Sequence, residues 1–102
     1  MAIKKDFYIA VHPGEVLQDI LNESGITQVQ LAKHLKIQQS KINEICRKKR
    51  GISPLMSAKL AQAFDQNPKF WLDVQHEWEL SQIDKKKYST IKKIKLQGSK
   101  AA

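Results

Sequence analysis

The sequence predicts an all-α fold of five short helices followed by a basic C-terminal tail. Three observations carry that reading. Apolar residues recur at spacings of three and four along most of the chain. Helix start and stop residues fall at the ends of each such block, and no stretch alternates apolar and polar residues as a half-buried strand would. At 102 residues the chain has the length of one domain with a single modest core.

The first helix opens at Pro13, a residue suited to a first turn, and carries Val16, Leu17, Ile20 and Leu21 on one face until Gly25 stops it. Thr27 and Gln30 form the capping-box pattern of a second helix, which presents Leu31, Ala32 and Leu35. The third runs from about Gln39 to Arg47, with Ile42, Ile45 and Cys46 facing inward, and Gly51 closes the basic stretch after it. Ser53 before Pro54 starts a fourth helix with Leu60, Ala61 and Phe64 inward. Asn67 and Pro68 repeat that start signal for a fifth helix, which reaches about Leu80 and carries Phe70, Trp71, Val74 and Trp78. The expected organisation is therefore an N-terminal segment (1–11), with Phe7 to Val11 extended, a helical domain (12–83) and a basic tail (84–102). The tail alternates lysines with Ile91, Ile94 and Leu96, a pattern open to extending helix five, folding on binding or staying disordered.

The net charge of +8 is unevenly spread. Residues 33–50 hold seven basic residues against Glu44, and residues 84–102 hold seven lysines against Asp84, so each segment carries +6 on a body that sums to −4. Basic charge concentrated in two places points to a polyanion, nucleic acid ahead of anionic membrane. No apolar run is long enough to span a bilayer and no signal-peptide core follows Met1–Asp6. A single cysteine excludes an intrachain disulfide and fits a reducing cytoplasm. His12, His34 and His76 lie in different segments, without the spacing of a metal site, and read as surface or capping residues. No nucleophile with a base and no paired carboxylates stand out, so the sequence points to neither an enzyme nor a cofactor.

Two short helices joined by a turn of about four residues, the second followed by basic residues, have the pattern of a helix-turn-helix. Ala32 falls where the two helices cross closely, and Leu31, Leu35, Ile42 and Ile45 supply the apolar seam. The turn residue four after Ala32 is Lys36, where a glycine is usual; a left-handed backbone there costs on the order of 1 kcal/mol.

The stretch TQVQLAKHLKIQQSKINEICRKKRGIS, Thr27 to Ser53, resembles the phage-repressor type of helix-turn-helix. With HPGEVL at His12–Leu17, RGISP at Arg50–Pro54 and NPKFWLDVQ at Asn67–Gln75, residues 12–80 are similar to the HigA antitoxin family, also called virulence-associated protein I. That resemblance does not extend to the basic tail. It implies a cytoplasmic, homodimeric repressor that binds double-stranded operator DNA of its own operon and neutralises a HigB-like ribonuclease toxin. In the phage-repressor geometry base reading falls on Gln39, Ser40 and Glu44. Glutamine can pair bidentately with adenine, and glutamate can accept from cytosine. Gln38, Lys41 and Asn43 flank them, within reach of bases or phosphates. Phosphate clamping falls to Gln28, Lys41, Arg47, Lys48, Lys49 and Arg50.

Trp71 and Trp78 are the candidates for a dimer contact, since so small a domain cannot easily bury every aromatic residue. For toxin binding, the N-terminal segment Ala2–Val11 with Glu15, Asp19 and Glu23 suits a basic ribonuclease better than the lysine-rich tail does. The tail itself reads equally as a solubilising terminus or as a nonspecific DNA contact. Two other functions stay open: a free-standing phage-type repressor with no toxin, and a single-strand or RNA-binding module that uses the tail.

Overall fold

A computed structural model describes residues 10–98. In it five α-helices follow one another: α1 (Pro13–Ser24), α2 (Gln28–Leu35), α3 (Gln39–Cys46), α4 (Pro54–Phe64) and α5 (Phe70–Gln82), with a 3-10 turn at Lys85–Lys87. The expected starts of four helices hold. Thr27 Oγ1 accepts from the Gln30 N–H and the Gln30 side chain accepts from the Thr27 N–H, closing the capping box of α2. Ser53 Oγ accepts from the Met56 N–H at the head of α4. Helix α5 begins at Phe70, later than the Asn67–Pro68 signal suggests. Asn67 Oδ1 takes the Lys69 N–H (2.8 Å), and the Pro68 carbonyl accepts from Ser57 Oγ (2.6 Å), so these residues build a turn ahead of the helix.

Four helices end alike. At α1 the left-handed residue is Gly25 (φ 68°), and the Ile26 N–H bonds back to the Leu21 carbonyl. At α2, α3 and α4 the left-handed residues are Lys36, Lys48 and Asp65 (φ 59°, 63° and 55°), with the same backward bonds from Ile37 to Ala32, Lys49 to Glu44 and Gln66 to Ala61. Lys36 thus adopts the conformation expected of a glycine. Lys48 and Asp65 carry no sequence signal for it, because neither residue type announces a left-handed backbone.

The core joins all five helices: Val16, Leu17 and Leu21 of α1, Leu31 and Ala32 of α2, Ile42 and Ile45 of α3, Met56, Leu60 and Ala61 of α4, Trp71 and Val74 of α5, with Ile52 from the connecting loop. Leu35, Cys46, Phe64 and Phe70 pack around it, half-buried. The structure corrects the expectation that Trp71 serves a dimer contact. It is 0% exposed, its indole N–H donates to Gln66 Oε1 (2.7 Å), and Phe70 and Phe64 flank its ring. A side chain enclosed by its own domain has no surface left for a partner. The apolar contact of an indole with its N–H satisfied makes it an anchor between α4 and α5.

After Gln82 the chain leaves the helical body. Residues 84–98 are exposed throughout, and of the three fates open to the tail, a continued α5 is not what the structure shows.

Candidate nucleic-acid interface

Helix α3 places Ile42 and Ile45 wholly inside and turns the opposite face outward. Gln39, Ser40 and Lys41 are exposed in its first turn, preceded by the exposed Gln38, and Asn43 and Glu44 follow one turn later, half-buried. The candidate base-reading residues therefore share one solvent-facing surface. Gln38 is the N-cap residue, yet its side chain makes no hydrogen bond to the first turn, so the positive end of the helix faces solvent unscreened by it.

Hydrogen bonds fix part of this surface. Asn43 Nδ2 donates to Gln28 Oε1 (3.2 Å), Gln28 Nε2 donates to Gln18 Oε1 (3.3 Å), and Gln18 Nε2 donates to Asn22 Oδ1 (2.9 Å). This chain of amides ties α3 to the start of α2 and to α1. Gln28 has a second amide proton beyond the one given to Gln18, and its orientation is set by both neighbours. Gln18 is a positioning residue that sequence reasoning missed; an exposed-looking glutamine on α1 gives no signal until the helices are packed.

The basic residues fall around the end of α3. Arg47, Lys48, Lys49 and Arg50 are all exposed. Arg50 Nε donates to Glu44 Oε1 at 2.8 Å, and Lys48 Nζ lies 3.6 Å from Glu15 Oε1. Two expected roles meet in the first pair, base reading by Glu44 and phosphate clamping by Arg50. Both ends of the pair are about half exposed, so water and salt screen it and the two groups can part when another partner arrives.

The second missed element is the junction below this loop. Gly14, in the first turn of α1, packs so closely that an added Cβ would collide with the Ile45 carbonyl at the end of α3. His12 is buried, and its Nδ1 accepts from the Gly14 N–H (2.9 Å) while its ring meets Trp78 edge to face, 4.8 Å between centroids. Burial chiefly, with help from Lys48 and against Glu15, pushes the His12 imidazole below its ordinary value, so at neutral pH it is the unprotonated acceptor. The only available hint was a glycine in a first turn, which helix propensity disfavours and close approach explains. Of the two tryptophans, Trp78 is thus half-buried against His12 and keeps part of its face outward.

Elsewhere the chemistry is quiet. Burial raises the pKa of the half-buried Cys46 thiol, which disfavours a reactive thiolate. Among the described residues no group of His, Cys, Asp and Glu could hold a metal ion, and no helix is long and apolar enough to cross a membrane.

Comparison with known proteins agrees with this geometry. A family profile described as helix-turn-helix matches residues 17–71. Virulence-associated protein A′ of Dichelobacter nodosus is 40% identical over 73 residues, 71% of this chain and 64% of that protein. Virulence-associated protein I of the same organism is 36% identical over 81 residues, 78% and 75% of the two chains. The Pseudomonas aeruginosa antitoxin HigA, solved with the higBA promoter, is 39% identical with a TM-score of 0.69, over 72% of this chain and 80% of that one. The chain belongs to the helix-turn-helix family, in the group that contains the virulence-associated proteins and the HigA antitoxins.

Proposed function

We propose that this protein is the antitoxin of a toxin–antitoxin pair: it binds operator DNA as a dimer, represses its own operon and neutralises a HigB-like ribonuclease toxin. One observation carries the DNA half of that reading. The outward face of α3 presents Gln39, Ser40, Asn43 and Glu44 together, with Arg47–Arg50 at its end, in a chain similar to a HigA that was solved with promoter DNA.

In this reading Gln39, Ser40 and Glu44 face base edges in the major groove, and Gln38, Lys41 and Asn43 reach bases or phosphates. Gln28, Lys48, Lys49, Arg47 and Arg50 hold the backbone, Arg50 after leaving Glu44. A dimer sets two such helices on half-sites one or more helical turns apart, with Trp78 at the contact between copies. The toxin half rests on the likeness to antitoxins. Its proposed surface is on α1, where Asp19 and Glu23 are exposed while Glu15 is engaged by Lys48 and the His12 backbone. The proposed contribution of Ala2–Val11 lies mostly outside the described residues.

The test is co-expression with the small open reading frame beside the gene, scoring growth and co-purification. Rescue of growth arrest with a stable complex supports the antitoxin. A harmless neighbour with intact operator binding leaves a free-standing repressor.

A further inference from the structure

The helix that leads into the second basic segment packs on the loop that ends the first. Gln75 Oε1 accepts from the Ile52 N–H (2.9 Å), so α5 rests directly on the loop that follows Arg47–Arg50. One turn further on, Trp78 packs on His12, whose backbone N–H donates to Glu15 Oε2 (3.3 Å), the carboxylate that also pairs with Lys48. Helix α5 rises about 6 Å from Trp78 to its end at Gln82, and Asp84 stands two residues beyond that end. The lysine-rich tail therefore leaves from the helix that packs on the exposed basic loop.

Among the described residues no hydrogen bond or ion pair joins the tail to the helical body. There its backbone N–H groups bond to near neighbours, among them Lys86 to Asp84, Lys87 to Asp84 and Ser89 to Lys85. Lys85, Lys86, Lys87, Lys92, Lys93 and Lys95 are all exposed, and no acidic residue follows Asp84. Fully extended, the fifteen residues 84–98 span at most about 50 Å, longer than one turn of duplex. Lysine ammonium groups on an exposed segment bind phosphates as point charges and read no bases.

We propose that Lys85–Lys95 is a second DNA-binding element, an arm that follows the sugar-phosphate backbone flanking the half-site held by α3. This rests on the operator-binding reading above. Once α3 is docked, flanking phosphates stand near the root of the arm at high effective concentration, so weak contacts suffice to engage it. The arm adds affinity and salt sensitivity without sequence preference.

The experiment uses the full chain and a full-length variant in which all six lysines are replaced by glutamine (K85Q, K86Q, K87Q, K92Q, K93Q, K95Q). Binding is followed by fluorescence anisotropy across a salt series. The probes are a duplex of about 20 bp spanning only the footprinted operator, a duplex of about 40 bp with the same operator and natural flanks, and a random-sequence duplex of the longer length. The expected result is unchanged affinity on the short operator and a loss of about tenfold or more on both longer duplexes at low salt. The salt slope there should become shallower by about 0.9 for each phosphate released. A variant with six arginines in the same places should retain binding.

Equal affinity and slope for both chains on the longer duplexes overturns the arm, as does an equal loss on the short operator. Unchanged DNA binding with failed capture of the co-expressed toxin also overturns it and gives the segment to a protein partner. Failure of the full chain to prefer operator over random duplex defeats the operator reading alone, because the random duplex still measures the arm.

Discussion

The two basic segments carry the same net charge, yet the fold uses them in opposite ways. Between Lys33 and Arg50 the charges sit on two packed helices and in the turns that end them, and the inner faces of those helices bury Leu31, Ile42 and Ile45. Their neighbours are held by named partners, Arg50 by Glu44 and Asn43 by Gln28. Beyond Asp84 even the apolar side chains are out in solvent, Ile91 at 73% and Ile94 at 81% exposure. Charge alone attracts a polyanion in both places. Direction, which hydrogen bonding to a base edge requires, comes only from the packed segment.

The strongest way to break this contrast is to dissolve the scaffold under α3. Trp71→Ala removes a fully buried indole and its bond to Gln66, and should cost about 3–5 kcal/mol. Denaturant titration reads the loss. Beyond the unfolding transition, where few molecules stay folded, preference for operator over random DNA should vanish while low-salt binding to either persists.

A finer cut leaves the scaffold intact. Gln39→Ala should lose about 1–3 kcal/mol of discrimination at the base it reads, measured as the ratio of affinities for operator and random duplex. Lys49→Ala should weaken both duplexes alike and lower the salt slope by about 0.9. Equal losses on both duplexes for the two variants would remove Gln39 from base reading.

Acidification tests the junction that holds the end of α3. His12 has a folded-state pKa below its ordinary value of 6.5, so its contribution is complete above about that pH and is lost as pH falls through the lower folded value. Protonation occupies Nδ1, the atom that caps α1, and loss of a cap is worth about 0.5–2 kcal/mol. Melting temperature should therefore fall more between pH 7 and pH 5 than in His12→Asn, which keeps an uncharged acceptor at the N-cap. Parallel curves would assign the pH dependence to other groups. The smallest change expected is a gain: Lys36→Gly relieves a left-handed lysine in the turn between α2 and α3 and should add up to about 1 kcal/mol of stability, with DNA binding unaltered.

Much of the fold and half of the interface are legible along the chain. The Thr27–Gln30 box, Ser53–Pro54, the glycine stop at Gly25 and the inward set from Val16 to Val74 depend on residues within a few positions of one another, so local chemistry announces them. Part of the outward face of α3 follows from the same periodicity, because fixing Ile42 and Ile45 inside leaves Ser40 and Glu44 on the other side, whereas Gln39 is exposed because it opens the helix. The failures share one cause. Trp71 reads as a surface residue because the spacing of four aromatic and apolar positions along α5 does not say which of them the body encloses. Gln18, His12 and Gly14 escape notice because their partners lie on other helices.

Local chemistry along the chain sets the five helices, the caps at Thr27, Ser53 and Gly25, the helix-turn-helix and the two concentrations of positive charge, since each is a matter of neighbours in sequence. Packing between helices sets that Trp71 is core, that Glu44 holds Arg50, that a chain of amides orients Gln28, and that α5 rests on the loop after the basic run. Those outcomes depend on contacts between residues distant in sequence, and close packing, which periodicity leaves undetermined, is what selects them.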